Sequence, residues 1–290
     1  MKTSKTTLYI LMAFAMLTWG ISWTNAKILG EYAHPNTLMF WRFLTGASAL
    51  IPVILLLKDK FKYPAYVFKY IILNGLFLAI YNYFYFRGTQ LGLAGAGGVL
   101  VTTLNPIFTV IITGLFFNAD LQKKDIFGLL LGFISGALIM NIWSLQPEEL
   151  FASGNIHFVM GAFTWAFVTI ISTRSKEHIG YLPFSFWSFL AASIFTFPLA
   201  VMQPDFYIFS HDAVFWLNFF LVSIGAMTFG TTVYFIAAME LGSEKASAFI
   251  FTVPAIAMLT AVIYLGEKLT LITTIGMICG MTAVFLINRK

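Results

Sequence analysis

The side chains able to do chemistry in this chain lie mostly inside long apolar runs, and their types suit binding better than reaction. Arg42 is the one charge clearly within such a run. A guanidinium there can clamp a carboxylate. It also sits only about 6 Å from the end of its run at 1.5 Å per residue, close enough to snorkel to the interface. No Asp or Glu falls inside a run, and Glu267 stands at a polar corner, Gly266-Glu267-Lys268. Proton-coupled carriers commonly use an intramembrane carboxylate, so any coupling here belongs at a helix end or is absent.

Neutral polar residues recur at helical spacing. Thr18, Ser22 and Asn25 share one face, and Asn82, Tyr85 and Thr89 share another, with Tyr81 beside it. Trp165, Thr169 and Ser172 form a third, Thr228 and Thr232 a fourth, and Thr103 and Asn105 flank Pro106. Polar side chains in lipid turn toward protein or a cavity. Ser and Thr can satisfy themselves on their own backbone, so helix packing explains many of them. An Asn amide has four hydrogen-bonding positions to fill, which points Asn82 and Asn105 to a cavity. Trp19, Trp165, Tyr85 and Phe251 offer an apolar wall or a cation–π surface.

The elements that must position these groups are apolar stretches of membrane-crossing length. Ten spans are expected, at 8–26, 38–57, 70–86, 97–117, 126–144, 156–173, 184–202, 213–238, 246–265 and 271–287. Of 290 residues, 59% are hydrophobic and 10% charged, with mean hydropathy +0.86. That leaves too little charge to cover a water-facing surface. Long continuous runs argue against an outer-membrane barrel. The net charge of +5 is no nucleic-acid signal, because the basic residues sit in short loops. Thirteen of the 17 Lys and Arg fall on one set of loops and three on the other, which places both termini in the cytoplasm. The first run lacks a small-residue cleavage site and reads as an uncleaved helix. Cys279 alone excludes a disulfide framework.

The chain repeats itself. Phe40-Trp41-Arg42-Phe43-Leu44 aligns with Phe186-Trp187-Ser188-Phe189-Leu190, and Thr18-Trp19 with Thr164-Trp165, both 146 residues apart. Pro106 and Pro254 occupy matching places in residues 90–121 and 240–269, and Gly128 and Gly132 align with Gly276 and Gly280. Five spans per half is an odd number, so the halves enter the membrane from opposite faces. A proline in mid-helix frees the carbonyl four residues back, making Pro106 and Pro254 candidate hinges beside a binding site. The glycines at every fourth position read as close helix packing or a dimer contact.

These features together resemble the drug/metabolite transporter superfamily, in its EamA-type ten-helix branch. Trp19-Gly20-Ile21-Ser22, Trp41-Arg42-Phe43, the proline-centred fourth and ninth spans and the Gly266-Glu267 corner carry the resemblance. The first half has Asn118-Ala119-Asp120 where the second has that corner. The resemblance implies export or exchange of small metabolites, often amino acids, across a bacterial inner membrane.

The expected fold is therefore all-α and membrane-embedded, with inverted five-helix repeats at 1–150 and 151–290 and a cavity between them. Candidate substrate-binding residues are Trp19, Ser22, Tyr81, Asn82, Tyr85, Thr103, Asn105, Trp165, Thr169, Thr232 and Phe251. Pro106 and Pro254 are the hinges, and Arg42 and Glu267 the charge partners. No catalytic residue, metal site or cofactor is expected; the partners are a small-molecule substrate and the bilayer, with no nucleic acid, for a monomer or a homodimer. The rival reading is a polytopic membrane enzyme acting on a lipid-linked group. It needs acid/base or metal residues clustered at one face, and His34, His157, His178 and His211 are scattered.

Overall fold

A computed structural model describes residues 5–117, 123–141, 143, 154–175, 178–241, 249–250 and 252–288. All regular structure among them is helical. The helices are α1 (Lys5–Leu29), α2 (Pro35–Leu56), α3 (Phe68–Leu91), α4 (Ala94–Phe117), α5 (Lys123–Met140), α6 (Gly154–Ser175) and α7 (Tyr181–Val201). There follows one continuous rod of three parts: α8 (Ala213–Phe220), a π-helix (Leu221–Gly230) and α9 (Thr231–Leu241). Then come α10 (Thr252–Leu265) and α11 (Leu271–Asn288), and a short 3-10 turn, Ala65–Val67, precedes α3. Among the described residues, seven helices are long and apolar enough to cross a membrane, and Ile126–Met140, Thr252–Leu265 and Leu271–Ala283 are shorter apolar helices.

Local chemistry explains where helices start and stop. Pro35 fits the first turn of α2, where its missing N–H costs nothing, and His34 Nδ1 accepts from the Asn36 N–H at 3.2 Å. Asp212 caps α8 by accepting the Phe215 N–H at 2.9 Å. Gly266, at φ +67°, ends α10 in the left-handed region that suits glycine, and the Glu267 N–H returns to the Ala261 carbonyl at 3.2 Å.

Packing partners come in matched pairs. α3 lies on α6 as the α8–π–α9 rod lies on α1, and α4 lies on α6 as α10 lies on α1. α2 packs on α7, and α5 on α11. Small residues allow the closest approaches: a Cβ on Gly154 would strike the Gly88 carbonyl, and one on Gly280 would strike Ser135 and Thr103. The Ser135 hydroxyl donates to the Gly276 carbonyl at 2.7 Å, tying α5 to α11. Packing is therefore the role these α11 glycines show.

The two ends of the bundle differ. At one, here the Asp205 end, bonds join the first half of the chain to the second. The His34 N–H and the Thr37 hydroxyl donate to Asp205, the Tyr32 hydroxyl to Asp212, and the Trp41 indole to the Phe206 carbonyl. Glu267 accepts the Ala94 and Gly95 N–H groups at 2.6 and 3.0 Å, capping α4. Lys27 donates to the Gly92 carbonyl at 2.7 Å, and Gln90 to those of Gly30 and Ala33. At the opposite, Lys58 end, the Trp187 indole donates to the Phe61 carbonyl at 2.8 Å.

Candidate functional site

A cavity lies between the two halves, and with its opening it spans about 1070 Å³ of empty space. Trp19, Ser22 and Trp23 of α1 line it, with Arg42 of α2. α3 supplies Asn74, Leu78, Tyr81, Asn82 and Tyr85; α4 supplies Val101, Thr102, Asn105 and Pro106. From the second half come Trp165, Val168 and Ser172 of α6, and Tyr181, Phe184, Ser185 and Phe189 of α7. Ala226 and Met227 of the π-helix, Thr231 of α9, Val253 of α10 and nearby Ile250 complete the wall. The lining reaches the first residue of α7 at the Lys58 end. On α1 and α3 it stops six residues short of the Asp205 end, about 9 Å of helix.

Arg42 is only 7% exposed and turned inward, so of its two sequence readings the structure takes the inward one. Among the described residues it is the sole charged side chain in the lining. Its Nη1 donates to Asn82 Oδ1 at 2.7 Å, and Asn82 Nδ2 donates to the Leu78 carbonyl at 2.9 Å. The guanidinium carbon lies 5.0 Å from the Tyr85 ring centre and 5.6 Å from that of Phe86. These rings favour a cation over their faces. Nε of Arg42 and Oδ1 of Asn74 are buried without a hydrogen-bond partner.

Aromatic side chains are fixed around this charge. The Tyr85 hydroxyl donates to the Ser22 carbonyl at 2.6 Å, and Trp23 meets Tyr85 edge-on at 4.8 Å. Tyr81 packs on Trp165 at 4.5 Å between ring centres. The Trp19 indole donates to the Ala226 carbonyl at 2.9 Å. That carbonyl lies in the π-helix and also accepts the Thr231 backbone N–H five residues on, so the indole shares it.

The candidate residues sort as follows. Trp19, Ser22, Arg42, Tyr81, Asn82, Tyr85, Asn105, Pro106 and Trp165 come together at the cavity. Thr103 does not; it is 1% exposed and faces Gly280 on the far side of α4. Thr169 donates to the Trp165 carbonyl, satisfying itself on its own helix, and lies outside the lining. Thr232 stands aside while its neighbour Thr231 lines the wall. Pro254 is buried but off the lining, between the lining residue Val253 and Ala255. Glu267 is held at the α4 N-terminus, away from Arg42. Phe251 lies outside the described residues. Sequence reasoning missed Asn74, which a longer stripe on α3 reveals: 74, 78, 82 and 85 share one face. It also named no candidate residue of α7, where Tyr181 and Ser185, four apart, line the cavity.

Comparison with known proteins agrees with this architecture. The model of the EamA-like transporter family matches the chain twice, at residues 6–141 and 152–289. The chain is 24% identical over 295 residues to the uncharacterized transporter YvbV of Bacillus subtilis, covering 99% of this chain and 93% of that protein. An uncharacterized transporter of Archaeoglobus fulgidus is 24% identical, with 97% of each chain covered. A probable amino-acid metabolite efflux pump of Salmonella typhimurium is 24% identical over 58% of this chain and 54% of that one. A crystal structure at 18% identity superposes with a TM-score of 0.69, covering 98% of this chain and 96% of the other, and so shares the fold.

Proposed function

The chain belongs to the EamA-like transporter family, and on that premise we propose that it is a secondary transporter exporting or exchanging a small polar metabolite, such as an amino acid. It works by alternating access across a bacterial inner membrane, with ten spans, repeats at 1–150 and 151–290, and both termini in the cytoplasm. The lining groups of α1, α3, α4 and α6, Asn82 and Tyr85 foremost, contact the substrate, and Pro106 gives α4 its compliance.

One observation carries this reading: both halves wall the cavity, which reaches toward the Lys58 end and stops short of the tied Asp205 end. With the termini inside, the Lys58 end faces the cytoplasm, the loading side for an exporter. The printed name of the Salmonella relative supports export and an amino-acid-like cargo.

Cross-linking tests it. Cys279 is replaced by Ser, and Tyr32→Cys with Asp212→Cys is joined by a bis-maleimide in reconstituted vesicles. Alternating access predicts that the linked protein stops counterflow while singly labelled controls continue. Full turnover with the Asp205 end linked shut sinks the mechanism.

A further inference from the structure

We infer that the cavity selects an organic carboxylate with an apolar, ring-sized body, and that it reads the anion alone, with no counter-charge for an ammonium group. This rests on the transporter reading above and narrows its cargo, away from the zwitterionic amino acid given there as an example, to a simple carboxylate. Arg42 supplies the anion site. Buried charges in proteins are paired, and an isolated one is costly. Arg42 is buried, yet among the described residues no carboxylate lines the cavity with it. Its neighbours stabilise it without neutralising it: one neutral amide on Nη1 and two ring faces. Nε remains a donor without an acceptor. A carboxylate matches the planar guanidinium fork in geometry and supplies the missing negative charge.

The same charge works against an ammonium. An α-amino group sits one carbon from its carboxylate, so it lies beside Arg42 and feels like-charge repulsion. Among the described residues, the buried side-chain acceptor in this lining without a partner, Asn74 Oδ1, is eight residues along α3 from Asn82, about 12 Å. That is too far for an α-ammonium, but within reach of a hydrogen-bond donor at the remote end of a longer cargo. Between them lie Tyr81, Trp165 and Leu78, a surface for an apolar body.

Binding to the purified full-length protein in nanodiscs tests this, using tryptophan fluorescence and thermal shift. The probes are 3-phenylpropionate, its amide, phenethylamine and phenylalanine, which share a ring and differ in charge. The expected order has the carboxylate at least tenfold tighter than the amide and the amine, and no weaker than phenylalanine. Arg42→Gln removes the preference, and Arg42→Lys retains part of it. The wild-type series decides even if a variant misfolds. An amine or amide equal to the carboxylate, phenylalanine tenfold tighter than it, or no binding by any probe overturns the inference. Counterflow in vesicles separates the two ideas: flux indifferent to cargo charge removes the anion site and leaves alternating access standing, whereas flux through the cross-linked protein removes alternating access.

Discussion

Trp41 and Trp187, 146 residues apart, make reciprocal hydrogen bonds at opposite ends of the bundle. The Trp41 indole on α2 donates to the Phe206 carbonyl, in the loop that follows α7, at 2.9 Å. The Trp187 indole on α7 donates to the Phe61 carbonyl, in the loop that follows α2, at 2.8 Å. Each half thus latches the connection leaving the other, the pattern expected of the inverted repeats proposed above. Trp41→Phe and Trp187→Phe each keep the ring and lose one donor to a carbonyl. Each should lower stability by about 1 kcal/mol, by similar amounts, read as melting midpoints in one detergent. A large loss at one position with none at the other would break the equivalence.

Pro106 and Pro254 are equivalent in sequence but not in place. Pro106 lines the cavity and denies the Thr102 carbonyl its usual helical donor, while Pro254 is buried beside the cavity wall. Pro106→Ala restores that donor and stiffens α4. Turnover should fall severalfold, with half-saturation little changed and no loss of melting temperature. Pro254→Ala should slow transport less. Concentration series of initial counterflow rates check both, and wild-type turnover in Pro106→Ala would remove the hinge.

The Tyr32–Asp212 bond, 3.2 Å long, gives the Asp205 end a pH signature. The Phe215 N–H, and then the Tyr32 hydroxyl, hold the Asp212 carboxyl below the ordinary carboxylate range, against an opposing desolvation effect. Desolvation, and then Asp212, push the Tyr32 phenol above its ordinary value. A depressed acid contributes stability above its unfolded pKa and loses it as pH falls through the folded one. A raised phenol contributes below its unfolded pKa and loses it as pH rises through the folded one. Asp212→Asn should therefore flatten the melting profile below about pH 4, and Tyr32→Phe above about pH 10. Melting curves across pH decide, and unchanged limbs in both variants would show the bond contributes nothing.

Much of the site was legible because polar residues in apolar helices must turn inward, and helical spacing says which ones turn together. That placed Ser22, Asn82, Tyr85 and Asn105. It failed where spacing alone cannot choose a face. Thr102 and Thr103 differ by a single position, and only the packing of α4 on α11 sends Thr103 away. Thr231 replaces Thr232 because the π-helix before them has wider turns, which shift the phase an unbroken α-helix would carry forward. Arg42 was ambiguous because distance to the helix end permits snorkelling, and only Asn82 and the rings of α3 show what draws it inward.

The lopsided fastening of the bundle sets an energetic bias on its resting equilibrium. Among the described residues, six hydrogen bonds bridge the halves at the Asp205 end, four from the Tyr32–Trp41 region and two to Glu267, and the Trp41 indole among them has its counterpart, Trp187, at the other end. In the alternating-access cycle proposed above, exchanging even three of them for water without replacement would cost about 3 kcal/mol, enough to leave roughly one empty molecule in a hundred facing the other way. Cargo must then favour the rarer state, or its crossing will be governed by how seldom an unloaded protein turns over.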